Sequence, residues 1–329
     1  MSGGYIPYHL RHNKSIDREI FLEGLSKLNR LFDISSYTYI GFGGPMLEDF
    51  RHVHSKMTIN NLISIEEDPA IFKRQLYNQP FHCIDCQQLN SSQFIETYPY
   101  DKPTITWLDY ASAKKISRDL DDIKNLSTKV SDGDILKITF PVNPASYYNR
   151  EHGETAESYA ENFKKAVKSK LGRIYTTHDF NVTVKDVSPR NLTNLMSGIL
   201  IDAFKLALER GLSGRRHPMV YIPLVVNRYN DGTHTMLTVF GLYRIKEAYR
   251  ETIEGCQLNN WNFISNHWKD IQEISIPTLT IKEKIDLDSC LPMRNVFMEA
   301  AREIALNEVE SMNYFKYYRL YPNFHRIMV

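Results

Sequence analysis

Residues 37–68 limit what this chain can fold into more than any other stretch: YTYIGFGGPMLEDFRHVHSKMTINNLISIEED. A short run of β-formers ends in a glycine turn, Gly41, Phe42, Gly43 and Gly44. A helical segment follows, and then a second apolar run, 62–65, that stops on Glu66, Glu67 and Asp68. Strand, glycine turn, helix, and strand with a terminal acid is the unit by which a Rossmann-like sheet holds a ribose-bearing cofactor. The glycines let the backbone approach the ligand, and an acid at the strand tip accepts ribose hydroxyls.

The turn reads GFGGP rather than GxGxxG, with Met46 where the third glycine would fall and Glu48 and Asp49 just beyond. In dinucleotide sites that glycine allows close helix–strand packing around a pyrophosphate. Acids beside a pyrophosphate repel it. A cofactor without phosphates and with a cationic centre, such as S-adenosylmethionine, suits this setting better.

The spacing predicts five strands, at 38–41, 62–66, 81–85, 104–109 and 134–140, with helices between them at 47–54, 69–78, 91–98 and 118–129 and an earlier one at 17–32. Regular alternation argues a parallel sheet covered on both faces. Beyond the fifth strand the pattern changes. Residues 144–190 form a polar, Tyr-rich insertion with a helix at 155–170, and an apolar helix follows at 191–210. Two long β-rich runs then flank Asn230, Asp231 and Gly232, a hairpin signal. The fold class is therefore α/β. Five parallel strands, a helix and a terminal antiparallel hairpin are the layout of class I methyltransferases, whereas a dinucleotide Rossmann fold would continue with another parallel strand. The division expected is an N-terminal arm and helix at 1–36, the sheet domain at 37–246, and a mostly helical extension at 247–329 with its clearest helix at 294–313.

Net charge is +1, which points to no charged partner, and nucleic acid is disfavoured. No apolar run spans a bilayer, and the first residues lack an apolar signal core, so the expected location is the cytoplasm. The cysteines are Cys83, Cys86, Cys256 and Cys290; the CxxC of the first two falls in a strand and has no second pair, so reduced thiols are expected rather than zinc or disulfides.

The segments LRHNKSIDREIFLEGL, YIGFGGPMLEDFRHVH, ISIEED, RQLYNQPF and ITWLDY resemble a prokaryotic family called putative O-methyltransferases, over most of residues 8–145. The resemblance implies a class I fold, S-adenosylmethionine as cofactor and an unidentified methyl acceptor. Members of the family are often associated with mobile or defence loci. From the wider methyltransferase pattern, Gly41, Gly43 and Gly44 match the cofactor-approach turn. Glu66 matches the ribose acid, with Glu67 as its alternate. Asp85 matches the acid that meets the adenine amino group, and Asp109 and Tyr110 match the strand tip where acceptor meets sulfonium.

Two departures narrow the chemistry. The fourth strand reads LDYAS and lacks the (D/N)PP(Y/F) pattern of amino-methylating enzymes, so an oxygen acceptor, hydroxyl or carboxyl, is favoured. After the fifth strand comes FPVNP, leaving only Asn143 where metal-dependent O-methyltransferases place an Asp-Asn pair, so no essential metal is expected. His52, His54 and His178 are candidate bases, each more commonly a surface or packing histidine. Arg11, Asn13, Lys14 and Arg18 read either as an anion-binding arm or as a solvated helix start. The alternative to an enzyme is a nucleoside-binding module acting with an operon-encoded partner. The aromatic-rich extension, with Trp261, Trp268 and Phe297, points to a homodimer or to such a partner.

Overall fold

The apolar runs become the parallel half of one eight-stranded sheet. The computed structural model describes residues 11–172, 175 and 180–322. Its parallel strands are β1 (Thr38–Gly41), β2 (Asn61–Ile65), β3 (Ile84–Gln87), β4 (Thr104–Asp109) and β5 (Ile135–Pro141). β1 and β5 are buried at every residue, as strands covered on both faces must be. The hairpin strands β6 (Met219–Asp231) and β7 (His234–Ile245) follow, and β8 (Gln272–Ile274) completes the set. The order is β3-β2-β1-β4-β5-β7-β6-β8, with β7 antiparallel between β5 and β6. This is the parallel sheet with a terminal hairpin that the sequence predicted, extended by one edge strand.

The helices are α1 (His12–Leu28), α2 (Glu48–Met57), α3 (Pro69–Asn78), α4 (Ser91–Thr97), α5 (Ile116–Lys129), α6 (Ala156–Leu171), α7 (Pro189–Leu212), α8 (Tyr249–Gly255), α9 (Ile281–Ser289), α10 (Arg294–Glu303) and α11 (Glu308–Tyr317). Alternation along β4 divides the core. Leu108 joins Leu120, Ile123, Phe163 and Phe204 of α5, α6 and α7 on one face. Ile105 and Trp107 join Ile20, Phe21 and Leu25 of α1 and Phe50 of α2 on the other.

Several boundaries differ from the sequence reading. β3 lies further along, because 81–83 form a turn and the strand ends on Gln87. α1 begins at His12, five residues before the apolar periodicity starts, since its first turn buries charged side chains instead. The helix expected over 294–313 is two helices: Ala305 is left-handed (φ 59°), and Asn307 caps α11 with Glu310 completing the capping box. Within the mostly helical extension, the short β8 pairs in parallel with β6. Trp261 and Tyr317 are buried in the α1 face of the core, while Phe297 and Tyr314 form a small core of their own. The chain itself covers most of the aromatic surface on which the partner expectation rested. Among the described residues no helix is long and apolar enough to cross a membrane.

Candidate functional site

The carboxyl ends of β1, β2 and β4 open into a cleft of about 400 Å³, the place where open α/β sheets bind ligands. β1 leaves the sheet through the glycine turn, and each glycine does something different. Gly44 is left-handed (φ 53°) and lines the cleft. Gly43 works inward: a Cβ there would stand 2.2 Å from Leu47 Cδ2 and 2.5 Å from Ser64 Oγ, so its bare backbone lets α2 seat against β2. Gly41 ends β1, and a Cβ on it would stand 3.2 Å from the Trp107 carbonyl oxygen of β4. Gly41 and Gly43 shape the turn without lining the cleft.

Glu66 follows β2 and lines the cleft, with one carboxylate oxygen accepting the Asp68 N–H at 2.9 Å. Burial holds its carboxyl above the ordinary value against that N–H, and the charges of Asp68 and Glu67 add to the rise. Glu67 also lines the cleft but pairs with Lys115 at 2.6 Å, both side chains half exposed. Asp85 sits inside β3, exposed and accepting from Gln87 Nε2 at 2.6 Å, and is outside the cleft. The shifted strand brings Leu89, Asn90 and Ser91 to the cleft in its place.

Asp109 ends β4 and lines the cleft, bound by Lys14 Nζ at 2.7 Å. Burial alone would raise its pKa; the Lys14 charge and hydrogen bond, with Arg18 and Lys137 behind them, hold it below the usual carboxylate value. Tyr110 is buried, its ring against Phe42 and its hydroxyl donating to Asp122 at 3.2 Å. Asp122 also accepts the hydroxyls of Ser91 and Ser92. Burial, with Asp122 and Asp119 close by, raises the Tyr110 phenol well above its ordinary pKa.

Lys14 belongs to a set of buried ion pairs made by one face of α1, where positions 14, 17 and 18 are neighbours. Asp17 pairs with Lys137 at 2.7 Å and accepts from Asn227 (2.9 Å) and Thr238 (2.7 Å). Arg18 grips both oxygens of Asp49, at 2.5 and 2.9 Å. Arg11 pairs with Asp231 at the hairpin tip at 2.7 Å. The N-terminal polar cluster is therefore neither a solvated helix start nor a set of free anion ligands. Asp49, counted from sequence as a charge repelling pyrophosphate, is paired with Arg18.

Sequence reasoning missed Asp119, in the first turn of α5. It is 4% exposed and lines the cleft. Burial and then the Asp122 charge push its carboxyl up to about 8, against Arg118 and Lys115. The available signal was spacing: residues 119 and 122 flank the apolar stripe of Ile116, Leu120 and Ile123. His234 and Met236, from the hairpin, also line the cleft and carried no signal. His52 is exposed on α2, and His54 Nδ1 donates to the Ile59 carbonyl (2.8 Å) while its ring packs on Phe81; neither lines the cleft. His178 lies outside the described residues. Asn143 accepts the Ala145 N–H and donates to Thr233. Among the described residues no three His, Cys, Asp or Glu side chains are grouped to hold a metal.

The chain has loose likenesses to solved structures. It aligns with Trm1 from Pyrococcus horikoshii, solved with S-adenosyl-L-methionine, at 8% identity over 73% of this chain and 57% of that one, TM-score 0.45. It aligns with a "putative S-adenosylmethionine dependent methyltransferase" from Listeria monocytogenes at 10% identity over 70% and 98% of the two chains, TM-score 0.39. It aligns with the fibrillarin pre-rRNA processing protein of Methanococcus jannaschii at 12% identity over 66% and 70%, TM-score 0.35. The aligned part spans 60% of a chain from a fibrillarin/Nop5p complex. No curated protein matches the sequence. A family model described as "Putative O-methyltransferase" matches residues 6–329, and the chain belongs to that family.

Proposed function

We propose that the cleft binds S-adenosylmethionine and directs its methyl group to an oxygen acceptor, a hydroxyl or a carboxyl group. The observation that carries this reading is the meeting of Gly44, Glu66 and Asp109, from three strand ends, in one cleft. The residues present suit the cofactor. Gly44 offers bare backbone, Glu66 keeps carboxylate capacity for ribose hydroxyls, and Phe42, Ile65 and Leu89 give apolar wall for an adenine. Glu67 is the alternate ribose acid, although Lys115 already engages it. The cofactor supplies a methyl group activated on a sulfonium cation. Asp109, held ionised by Lys14, places fixed negative charge at the β4 tip, and Tyr110 forms the floor beside it. Methyl transfer needs little beyond alignment of acceptor and methyl group, which fixed side chains of this kind provide.

Calorimetry with S-adenosylmethionine tests the reading. Glu66→Ala is expected to weaken binding by about 1–3 kcal/mol through loss of charge-assisted hydrogen bonds. Asp109→Asn should leave cofactor affinity nearly intact and abolish turnover. Wild-type protein that binds no cofactor would sink the proposal.

A second reading, a cofactor-binding module that acts with a protein partner and does not turn over, draws support from one observation. Asp109 and Tyr110 both have partners within the protein before any acceptor enters. Formation of S-adenosylhomocysteine with cell-lysate fractions separates the two readings.

A further inference from the structure

Asp119 is the least explained group in the cleft. It lines the cavity, is 4% exposed, and has no hydrogen-bond partner among the described residues. Its carboxylate oxygens are not among the fully buried unpaired atoms and so open onto the cleft, while burial of the rest of the side chain deprives them of most of their water. Every other carboxylate on the acceptor side is engaged: Asp109 by Lys14, Asp231 by Arg11, and Asp122 by three hydroxyls.

We propose that Asp119 accepts the proton of the methyl acceptor, which makes that acceptor an alcohol or phenol rather than a carboxylate. The inference rests on the methyl-transfer reading and deepens it. In the step, the acceptor oxygen forms its bond to the methyl carbon as the sulfur–methyl bond breaks. The sulfur keeps that electron pair and becomes a neutral thioether, and the hydroxyl proton passes to Asp119. A carboxylate acceptor has no proton to give and needs no such group.

The surroundings of Asp119 fit a base that works close to neutral pH. Arg118 and Asp122 flank it on α5, Lys115 precedes it, Glu67 stands at the β2 end, and Tyr110 and Tyr147 follow β4 and β5. Burial and Asp122 raise its pKa to about 8, close to the optimum for proton transfer near neutrality. Asp109, held low by Lys14, is too weak a base for this work.

The test uses phenol, benzyl alcohol and benzoate as acceptors, with S-adenosylhomocysteine as the readout, on the full chain and Asp119→Asn. Wild-type turnover of a hydroxyl acceptor should rise with pH and level off above about 8. The variant should lose that rise and be slower by roughly 100-fold or more. Its affinity for S-adenosylhomocysteine should stay within about twofold, since the proposed role is on the acceptor. An unchanged rate and pH profile, or equal methylation of benzoate by both proteins, overturns the proposal. So does a tenfold loss of S-adenosylhomocysteine affinity, which would place Asp119 in the cofactor pocket.

A second measurement needs neither cofactor nor acceptor. The wild-type minus variant infrared spectrum should show the carbonyl stretch of a protonated carboxyl well below the Asp119 pKa and lose it well above. If none of the three acceptors is methylated, this band decides: its presence supports the proposal and its absence overturns it. Failure of S-adenosylmethionine to bind would instead overturn the methyl-transfer reading and leave the band unaffected.

Discussion

The two sides of the cleft are held by different physics. The side proposed to hold the cofactor is built within one short segment, residues 41–66, from backbone shape: the left-handed Gly44, the bare Cα of Gly43, and an acid one residue beyond β2. The side proposed for the acceptor is built from charge pairs between distant residues. Lys14 and Asp109 stand 95 residues apart, and Asp17 and Lys137 stand 120 apart. A shape-built site is damaged by adding a carbon atom, and a charge-built site by removing a charge. Each side therefore has its own most damaging substitution, and comparing them tests the division.

The largest effect is expected on the charge-built side. Asp17 is buried with three side-chain partners, and Lys137, which it neutralises, stands 3.7 Å from the Trp107 ring centroid. A buried pair adds little net stability, but removing one partner strands the other charge. Asp17→Ala should lower unfolding free energy by about 3–5 kcal/mol, measured by urea denaturation. A loss under about 1 kcal/mol would mean that Lys137 finds water or sheds its proton, and that the α1 charges do not hold this side together.

Asp119 sharpens the comparison through pH, because it is a titratable carboxyl without a hydrogen-bond partner among the described residues. In the folded protein it keeps its proton up to about pH 8. In the unfolded chain it releases it near pH 4. The folded state therefore binds more protons across that window and loses stability as pH rises through it. Asn has no proton to keep. Asp119→Asn should match wild type near pH 4 and gain melting temperature progressively up to pH 8, by roughly 1–2 °C for each kcal/mol relieved. A constant offset across the pH range would show that the carboxyl is not protonated in the fold.

The same division explains what could be read from the sequence. β1 and β4 have the bounds their apolar runs predict, and the turn at 41–44 is where local pattern places it, because these features depend on neighbours in the chain. β3 ends two residues later than the sequence reading placed it, since FHCIDC offers no apolar–polar step to mark where pairing stops, and Asp85 consequently lies within β3 rather than at its end, outside the cleft lining. The start of α1 read either as an anion-binding arm or as a solvated helix start because Lys14 and Arg18 find their carboxylates only after folding. The break between α10 and α11 was legible: Asn307 with Glu310 is a capping box inside the expected helix. The burial of Asp119 was not, since it depends on how the β4 end meets α5.

On the shape-built side, Gly43→Ala adds one methyl group between Leu47 and Ser64. Gly43 has no left-handed backbone, so the cost is crowding alone, about 1–3 kcal/mol of stability. Because α2 must shift to make room, cofactor affinity should fall as well. Calorimetry on the folded variant checks this, and full affinity would show that the seat of α2 does not set the turn.

The smallest effect is expected at Glu67, and it separates the two acids that follow β2. Glu66 and Glu67 are adjacent in sequence, yet they belong to different parts of the cleft. Glu66 is partly buried, with its carboxyl raised by that burial. Glu67 is 53% exposed and reaches Lys115, itself 52% exposed. An ion pair this open is screened by salt and adds little to stability. If Glu66 is the ribose acid, Glu67→Ala should change S-adenosylmethionine affinity by less than about threefold, under 0.7 kcal/mol, and leave the melting temperature unmoved. Breaking the link between the β2 end and Lys115 should instead remove a salt-dependent part of the binding rate, seen by comparing association at low and high ionic strength. The opposite ranking, with Glu67→Ala weakening binding more than Glu66→Ala, would move the ribose contact to Glu67. It would then make the Lys115 pair a contact that must open before the cofactor can bind.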